Sequence, residues 1–347
     1  MSRAGSANNE PEVIRVGVLG TGAIARIAHL PALNHLPGVQ VTAVADVDRN
    51  RAEQAARRFS IPRVCSTIEE MVAQEPLDAV IVCTPNYLHA EHAVAALKAG
   101  KHVLVEKPIA TTLADALAMK NAAREAGRVL MVGFTHRFYA FNRYAHKLVQ
   151  EGAIGRIVSL RMRFSHEGPY VSWPAESRWF LDRRLAGGGA LLDMGIHAVD
   201  LASWLVGADI REVAAMTSPV EVDSEVERTA HVLLHFAGGA LGAIEVGWST
   251  KDGALGYELY GTEGSMLVDY QTPIKLLAPT VTGPRVRGWI VPSVGRSDPY
   301  LEELRHFFDC VRTGESPVVG AHEGIEALRV ILAAYDAAES GRTVHVA

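Results

Sequence analysis

A chain of 347 residues exceeds the size at which a single hydrophobic core stops growing, so we expect two domains. Hydrophobic residues make up 48% of the chain and charged residues 21%, a balance typical of a soluble globular protein. The formal net charge of -5 argues against a nucleic-acid partner, and no stretch approaches the roughly 18 consecutive apolar residues of a membrane span.

The cysteines bear on the cellular compartment. Cys65, Cys83 and Cys310 are an odd and sparse set, which does not suit a disulfide framework, and no CxxC pair indicates a zinc site. We therefore expect a reduced, cytoplasmic protein. Residues 1–11 are small and polar and lack the apolar segment of a secretory signal, so we expect a flexible tail there.

The first half of the chain alternates strand and helix patterns. Predicted strands cover 13–19, 39–47, 78–84, 102–105 and 129–133, and predicted helices cover 23–36, 49–59, 90–99 and 112–126. These strands are apolar on both faces, which is typical of a parallel sheet covered by helices on each side. We therefore predict a doubly wound α/β domain over residues 12–135, with its binding crevice at the carboxyl ends of the strands.

The second half, residues 136–347, is dominated by strand patterns. Predicted strands cover 157–164, 226–236, 240–248, 257–260 and 265–270, and predicted helices cover about 190–205, 300–311 and 322–338. Apolar and polar residues alternate along 226–236, which predicts an antiparallel sheet with one face on the core. The polar, outward positions are Glu227, Thr229, His231 and His235. The stretch 272–295 is predicted as a loop, and the last helix is expected to pack on one domain or the other.

A glycine-rich turn follows the first predicted strand and opens the first predicted helix. It reads Gly20, Thr21, Gly22, Ala23, Ile24, Ala25, a GxGxxA pattern. Gly20 permits the tight turn, Gly22 lets the backbone approach a pyrophosphate, and the helix N-terminus offers free N–H groups to phosphates. In this context the pattern predicts a dinucleotide site rather than a plain structural turn.

Asp46 lies 21 residues after Ala25, at the end of the second predicted strand. A carboxylate at that distance accepts hydrogen bonds from the adenosine ribose hydroxyls and repels a 2′-phosphate, which favours NAD over NADP. Arg49 and Arg51 follow closely, and they leave NADP open as an alternative.

Three further motifs carry chemistry. Thr84-Pro85-Asn86, with His89 just after, ends one strand, and Glu106-Lys107-Pro108 ends the next; both lie where the crevice is expected. Beyond the Gly187–Gly189 run, Asp193 and His197 are four residues apart, so on a helix their side chains share one face.

Taken together, these motifs resemble the Gfo/Idh/MocA oxidoreductase family. Its pattern comprises the GxGxxA/G turn, TPN(x)xH, EKP and GGGxLxDxGxH segments, and this chain carries all four in that order over roughly residues 13–345. The resemblance implies a Rossmann domain followed by an α/β domain with an open, mostly antiparallel sheet. It also implies an enzyme that transfers a hydride between NAD and a CH–OH group of a sugar, sugar acid or cyclitol. The cofactor-binding positions it implies are Gly20, Gly22, Ala23, Ile24, Asp46, Arg51, Thr84, Asn86, His89, Glu106 and Lys107.

The resemblance assigns catalytic roles to three residues. His197 is the expected general base, Lys107 the expected donor to the developing alkoxide, and Asp193 the expected orienting group. The resemblance also implies that the bond before Pro108 is cis, as relatives often have it. The simpler interpretations are a solvated lysine beside Glu106 and a helix-surface Asp/His pair. A metal site is not expected, because no third ligand has convincing spacing.

Substrate contacts are expected between the first strand of the second domain and the glycine run. We predict contacts from His166, Tyr170 and Trp179 in this segment, since aromatic and hydrogen-bonding side chains suit a polyol, and from Arg137, which follows the last predicted strand of the first half. The alternative is that Trp173 and Trp179 are packing residues and that Arg137 forms an interdomain ion pair. Some relatives place a Trp-Arg pair against the nicotinamide, but Arg178-Trp179 has the reverse order, so that contact is not carried over.

Three classes of function remain open from the sequence. A dehydrogenase is favoured over a glycosidase that uses NAD transiently, and over a non-catalytic dinucleotide sensor, because a sensor does not need Lys107, Asp193 and His197 together. The family also implies a homodimer or homotetramer, with the open sheet packed against another subunit.

Overall fold

The computed structural model describes residues 13–73, 76–171, 178–272, 274–278 and 288–346. The tail expected at residues 1–11 and the candidate Trp173 lie outside these described residues. The described residues form two sheets, one in each half of the chain, with helices packed against both.

The first sheet contains six strands, all parallel. They are β1 (Ile14–Leu19), β2 (Val39–Ala45), β3 (Arg63–Cys65), β4 (Ala79–Val82), β5 (His102–Glu106) and β6 (Leu130–Gly133). Their order is β3-β2-β1-β4-β5-β6, so the chain reverses direction across the sheet between β1 and β4. Every residue of β4 and β6 is buried, as expected of strands covered on both faces. The predicted doubly wound sheet is confirmed, and β3 is an additional strand that the sequence pattern did not predict.

Helices cover both faces of this sheet. They are a π-helical turn (Ala25–His29), α1 (Leu30–Leu33), α2 (Arg49–Phe59), α3 (Ile68–Val72), a 3-10 turn (Asn86–Leu88), α4 (His89–Lys98) and α5 (Leu113–Ala126). Asp48 caps α2 by accepting a hydrogen bond from the Arg51 backbone N–H, and Thr112 caps α5 in the same way. Gly127 ends α5 in the left-handed region at φ +62°.

The second sheet contains eight strands. They are β7 (Ile157–Ser165), β8 (Ile210–Thr217), β9 (Thr229–Phe236), β10 (Leu241–Gly247), β11 (Ala254–Gly261), β12 (Ser265–Asp269), β13 (Lys275–Leu277) and β14 (Val344–His345). Their order is β13-β12-β11-β7-β10-β9-β8-β14, and every pair is antiparallel except β7 with β10. The mostly antiparallel sheet is confirmed; β8, β13 and β14 were not predicted, and β13 falls in the stretch expected to be loop.

The helices of the second half connect the two sheets. They are a 3-10 turn (Thr135–Phe138), α6 (Ala140–Gln150), a 3-10 turn (Arg178–Leu181), α7 (Arg183–Ala186), α8 (Ala190–Asp193), α9 (Gly195–Val206), α10 (Pro299–Thr313) and α11 (Ala321–Ser340). The single helix expected over 190–205 is two helices, and the axis bends by 46° between Arg183–Asp193 and Gly195–Val206. The last helix, α11, packs on both halves, against α5 and β6 and against α9 and β8.

Strand β9 shows the expected alternation, with one correction. Its even-numbered residues from Ala230 to Phe236 are buried on the core side. Glu227, which was expected to face outward, is instead buried and precedes the strand. Its carboxylate accepts hydrogen bonds from the Leu191 backbone N–H and from the Tyr335 hydroxyl, each at 2.9 Å. Glu227 therefore holds the start of α8 in place. The alternation of apolar and polar residues along the strand does not predict this contact.

Within the described residues, no single helix has the length and apolar composition to cross a membrane; only the bent pair Arg183–Asp193 with Gly195–Val206 passes that test, on length and composition alone.

Candidate active site

The glycine turn after β1 is held in place by two neighbouring strands. Gly20 has φ +88°, a conformation suited to glycine, and a Cβ there would lie 2.6 Å from the Cys83 carbonyl oxygen. Thr21 donates to Asp46 Oδ2 from its backbone N–H at 2.8 Å and from its hydroxyl at 3.0 Å. The end of β2 therefore fixes the shape of the turn.

Gly22 differs from Gly20 in what surrounds it. Among the described residues, no atom lies within 4 Å of a Cβ built on Gly22, so the backbone here borders open space. Ala23 and Ile24, the first residues of the helical segment, line the same space, and the first N–H groups of a helix have no partner within it. An open approach to backbone N–H groups at a helix start is what a pyrophosphate requires, so the residues present fit a dinucleotide.

A cleft of about 880 Å³ runs along the carboxyl ends of the first sheet and reaches the second half of the chain. All of the predicted cofactor-binding and catalytic residues line it: Gly20, Gly22, Ala23, Ile24, Asp46, Arg51, Thr84, Asn86, His89, Glu106, Lys107, Asp193 and His197. Of the predicted substrate contacts, His166 and Trp179 line the cleft, whereas Arg137 and Tyr170 do not. The fold therefore brings together motifs separated by up to 177 positions in the sequence, from Gly20 to His197.

Two of the cleft residues also hold loops together. Asn86 Nδ2 donates to the Ala186 carbonyl oxygen at 2.7 Å, which ties the end of β4 to the glycine run of the second half. Both ring nitrogens of His89 lie near backbone carbonyl oxygens, those of Pro108 at 2.7 Å and Thr84 at 2.8 Å. These side chains shape the cleft wall, and the peptide bond between Lys107 and Pro108 is cis, as the resemblance implied.

Lys107 and Asp193 form an ion pair at the centre of the cleft. Lys107 Nζ lies 2.5 Å from Asp193 Oδ1 and 3.1 Å from the Asp193 carbonyl oxygen. Asp193 Oδ2 accepts a hydrogen bond from the Trp248 indole N–H at 2.9 Å and lies 3.6 Å from His166 Nε2. Burial disfavours the charged carboxylate, but Lys107 and His166 outweigh burial and hold the pKa of Asp193 well below its usual range. The Asp193 carboxylate is therefore charged at neutral pH.

Two histidine rings lie side by side next to this ion pair. The centroids of His197 and His136 are 4.4 Å apart. Burial, the His136 ring and the Lys107 charge lower the pKa of His197 well below its ordinary value. His197 is therefore neutral at neutral pH, and its Nδ1 is buried without a hydrogen-bond partner in the described part of the chain.

An aromatic wall closes the side of the cleft that the second half supplies. The rings of Trp179 and Phe180 stack with centroids 3.8 Å apart, and Phe180 meets Trp248 edge-on. Trp179 lines the cleft, whereas Tyr170 is 36% exposed and lies outside its lining. Of these two predicted substrate contacts, the structure therefore places only Trp179 along the cleft, and both remain predictions.

Arg137 also lies outside the cleft lining. Its guanidinium forms a buried ion pair with Asp200, at 2.6 and 2.9 Å, and donates to the Val318 carbonyl oxygen at 3.0 Å. It also lies over the Trp204 ring. Asp200 holds the Arg137 guanidinium inside the protein, so Arg137 links packed elements and is absent from the cleft lining.

A buried polar network behind the cleft was not predicted from the sequence. His29 Nε2 lies 2.6 Å from Glu106 Oε1, and the Thr135 hydroxyl lies 3.0 and 3.1 Å from the two carboxylate oxygens of Glu303. Burial, together with the nearby Glu106 carboxylate, raises the pKa of Glu303 well above its ordinary value. No local motif marks His29 or Glu303, because their partners are distant in sequence.

The Glu303 carboxyl makes stability depend on pH. Because its pKa is higher in the folded than in the unfolded state, the folded protein binds more protons, and the free energy of unfolding falls as pH rises above about 4.5. Glu303→Gln keeps an oxygen that accepts from Thr135 but has no carboxyl to titrate, so it lacks this fall in the free energy of unfolding. We therefore expect the variant to be more stable than wild type at pH 8 by ~1 kcal/mol or more, which is ~2 °C in Tm.

Thermal unfolding of wild type and Glu303→Gln at pH 5 and pH 8 checks this expectation. The advantage of the variant should grow with pH, while the exposed control Glu339→Gln should show no such trend. An equal Tm difference at both pH values would contradict the assignment of a raised pKa to Glu303.

Comparison with known proteins places the chain in a family. Residues 14–134 match the model of an oxidoreductase family with an NAD-binding Rossmann fold, GFO_IDH_MocA, and residues 142–267 match the GFO/IDH/MocA C-terminal domain. The chain belongs to the GFO/IDH/MocA oxidoreductase family. It is therefore an NAD(P)-dependent oxidoreductase, and the resemblance seen in the four sequence motifs is confirmed.

Relatives within the GFO/IDH/MocA family cover nearly the whole chain. Myo-inositol 2-dehydrogenase of Thermotoga maritima is 31% identical over 95% of this chain and 98% of its own. Levoglucosan dehydrogenase of Pseudarthrobacter phenanthrenivorans is 30% identical over 91% of this chain and 89% of its own. Among solved structures, the aldose-aldose oxidoreductase from Caulobacter crescentus, complexed with glycerol, is 30% identical with a TM-score of 0.86, covering 96% of this chain and 100% of that one.

Proposed function

We propose that this protein oxidises a CH–OH group of a sugar, sugar acid or cyclitol, with NAD as the hydride acceptor. The observation that carries the proposal is one cleft in which an open dinucleotide turn at Gly22 and the Lys107–Asp193 pair lie together with His197. Relatives that match nearly the whole chain are named as dehydrogenases of myo-inositol and levoglucosan, which supports a polyol substrate class.

NAD is the cofactor that the residues around Asp46 favour. Asp46 directly follows β2 and lines the cleft, where a carboxylate suits ribose hydroxyls and repels a 2′-phosphate. The arginines that would hold such a phosphate have acidic neighbours: Arg49 pairs with Glu53 at 3.0 Å, and Arg51 with Asp48 at 3.3 Å. When bound, NAD supplies the nicotinamide ring that accepts the hydride.

The roles of the three central residues follow from their charges. His197 is neutral and lines the cleft, so it is suited to take the hydroxyl proton as the hydride leaves carbon. Lys107 carries the positive charge that stabilises the developing alkoxide oxygen. Asp193 holds the Lys107 ammonium in place, and Trp248 and His166 hold the Asp193 carboxylate in turn.

A neutral His197 sets the pH dependence of the reaction. Because its pKa is lowered, its deprotonated form persists as pH falls below about 6.5, the ordinary value for a histidine. We therefore expect kcat/KM for alcohol oxidation to keep its plateau through pH 6.5 and to lose it only at lower pH. A pH–rate profile of kcat/KM checks this, and an acid limb centred at or above pH 6.5 would remove His197 from the role of base.

The substrate end of the cleft suits a ring that is polar at its edge and apolar on its faces. Trp179, stacked on Phe180, offers a flat surface for the C–H faces of a sugar or cyclitol. His166, beside Asp193, adds a hydrogen-bonding group for a hydroxyl. These contacts replace Arg137 and Tyr170 in the proposed substrate site.

A substrate panel tests the proposed function. NADH absorbance is followed with inositols, aldoses, sugar acids and anhydro-sugars, each with NAD and with NADP. We expect turnover with at least one compound and a higher kcat/KM with NAD. If NAD binds but no compound is oxidised, and a glycoside leaving group is released without net NADH, the glycosidase alternative replaces this proposal.

We also propose how the chain is organised and where it works. Residues 12–135 would bind the dinucleotide, and 136–347 would bind substrate and mediate homo-oligomerisation through the outward sheet face, where Leu233 and Met216 are 62% and 78% exposed. A cytoplasmic location fits the sparse set of three cysteines, Cys65, Cys83 and Cys310, all of them buried. Sedimentation of the purified protein tests the assembly, and a monomer at micromolar concentration would contradict it.

A further inference from the structure

A chain of buried hydrogen bonds runs from strand β11 to the cleft. The Tyr257 hydroxyl donates to Asn142 Oδ1 at 2.9 Å, and Asn142 Nδ2 donates to the Tyr270 hydroxyl oxygen at 2.8 Å. The Tyr270 hydroxyl lies 2.7 Å from His136 Nδ1. The four residues come from α6, β11, the end of β12 and the turn after β6, and the last of them, His136, lines the cleft beside His197.

The direction of every bond in this chain is determined by one carbonyl group. Asn142 Nδ2 also donates to the His136 backbone carbonyl oxygen at 2.7 Å. A carbonyl oxygen only accepts, so the NH₂ end of the Asn142 amide must face it and the Oδ1 end must face Tyr257. The same NH₂ group supplies the hydrogen that the Tyr270 oxygen accepts.

The Tyr270 proton then has one destination. Among the described residues, the hydroxyl has two hydrogen-bond partners, the Asn142 NH₂ group and His136 Nδ1. Since the NH₂ group donates, the Tyr270 hydrogen is satisfied only if Nδ1 accepts it. A buried hydroxyl hydrogen without an acceptor would be costly. His136 therefore carries its own proton on Nε2.

The surroundings of His136 keep it in that neutral form. The ring is packed among the rings of Tyr139, Phe164, Tyr270 and His197, and Lys107 is the charged group that acts on it. Burial and the Lys107 charge lower the pKa of His136 to about 3. Within the described part of the chain Nε2 forms no hydrogen bond, and the ring lines the cleft.

We infer that His136 is a fixed, neutral hydrogen-bond donor that binds an oxygen of the substrate next to the reacting carbon, with Tyr270 and Asn142 as positioning residues. This inference rests on the proposed function, since it places a polyol in this cleft. Because Nε2–H donates and does not accept, the substrate group that faces it is a hydroxyl or carbonyl oxygen. An ammonium group at that position would be rejected, and a deoxy analogue would bind without this contact.

The test begins with a measurement that needs no activity. Nitrogen-15 NMR of histidine-labelled protein, with His136→Phe to assign the signal, reports which ring nitrogen carries the proton. We expect Nε2–H alone in wild type from pH 5 to pH 8, and a mixture of the two tautomers in Tyr270→Phe. The matched control Tyr257→Phe also removes a buried hydroxyl, but Asn142 keeps both acceptors of its NH₂ group, so the tautomer should not change.

Kinetics with the best substrate of the panel form the second part. We expect His136→Phe and Tyr270→Phe to lower kcat/KM by roughly 3- to 10-fold, the size of one neutral hydrogen bond, mostly through KM. Tyr257→Phe should keep wild-type kinetics. With wild type, a deoxy analogue that lacks the oxygen facing His136 should have a lower kcat/KM than the parent substrate. For that analogue, His136→Phe should lower kcat/KM no further, because the contact is already absent.

Three outcomes would overturn the inference. One is a proton on Nδ1 in wild type, and another is a tautomer change in Tyr257→Phe as large as in Tyr270→Phe. The third is the expected tautomer with unchanged kcat/KM in both His136→Phe and Tyr270→Phe, which would mean that the donor does not reach substrate. If no compound is turned over by wild type, the proposed function fails, while the NMR result still stands or falls separately.

Discussion

Replacing Lys107 with methionine is expected to lower kcat by about 10²- to 10³-fold, the usual cost of removing one charged donor from a developing oxyanion. Methionine retains the length and much of the volume of lysine but cannot donate. The loss should fall on kcat more than on KM, because the charge on the oxygen develops only in the transition state. The variant also leaves Asp193 buried without its cation, so part of the effect is misplacement of that carboxylate.

Steady-state kinetics of Lys107→Met, with Lys98→Met as the matched control, measure this effect. Lys98 is exposed at the end of α4, away from the cleft, and its replacement should leave kcat unchanged. Circular dichroism and Tm of both variants establish that they are folded. A Lys107→Met enzyme with more than a tenth of wild-type kcat would contradict the role given to this lysine.

Placing a side chain on Gly22 is expected to weaken NAD binding by roughly 100-fold, which corresponds to about 2.7 kcal/mol, without destabilising the protein. No atom of the described part of the chain lies within 4 Å of a Cβ there, so the free protein has room for it. The room is the space that a pyrophosphate needs in order to approach the backbone N–H groups. Gly22→Val should therefore lower the affinity for NAD while leaving the free energy of unfolding unchanged.

Calorimetric titration measures the affinity of the variant for NAD, and thermal unfolding of the free protein measures its stability. Gly295 is the matched control, since a Cβ there also meets no atom of the described residues within 4 Å and Gly295 lies outside the cleft lining. Gly20→Ala should instead lower stability, because φ of +88° disfavours a side chain and a Cβ there would lie 2.6 Å from the Cys83 carbonyl oxygen. Unchanged NAD affinity in Gly22→Val would mean that the dinucleotide does not bind along this turn.

Much of the first sheet was predictable because its signals are local. The apolar runs that became β1, β4 and β5 are bounded by glycine or proline, and α2 spans the predicted Arg49–Phe59 without change. β3 and α3 were missed, since three and five residues are too short for a period to emerge. The predicted cofactor residues line one cleft because the carboxyl ends of parallel strands meet at one edge of the sheet.

The substrate side was less predictable because its contacts are set by tertiary structure. Arg137 was expected in the cleft, but Asp200 on α9 holds it inside the protein. Glu227 was expected on an outward face, but it is buried under α8. His136 gains its fixed tautomer from Tyr270, 134 positions away. No periodicity or short motif records such pairings.

The central claim is net transfer of a hydride from a carbinol carbon to NAD, and an isotope experiment tests it most directly. The active polyol is prepared with deuterium on the oxidised carbon and incubated with NAD and the wild-type protein. We expect deuterium at carbon 4 of the nicotinamide in free NADH, one equivalent for each ketone or lactone formed. Substrate consumed with no deuterium in released NADH would contradict a dehydrogenase and favour a reaction that returns the hydride to its product.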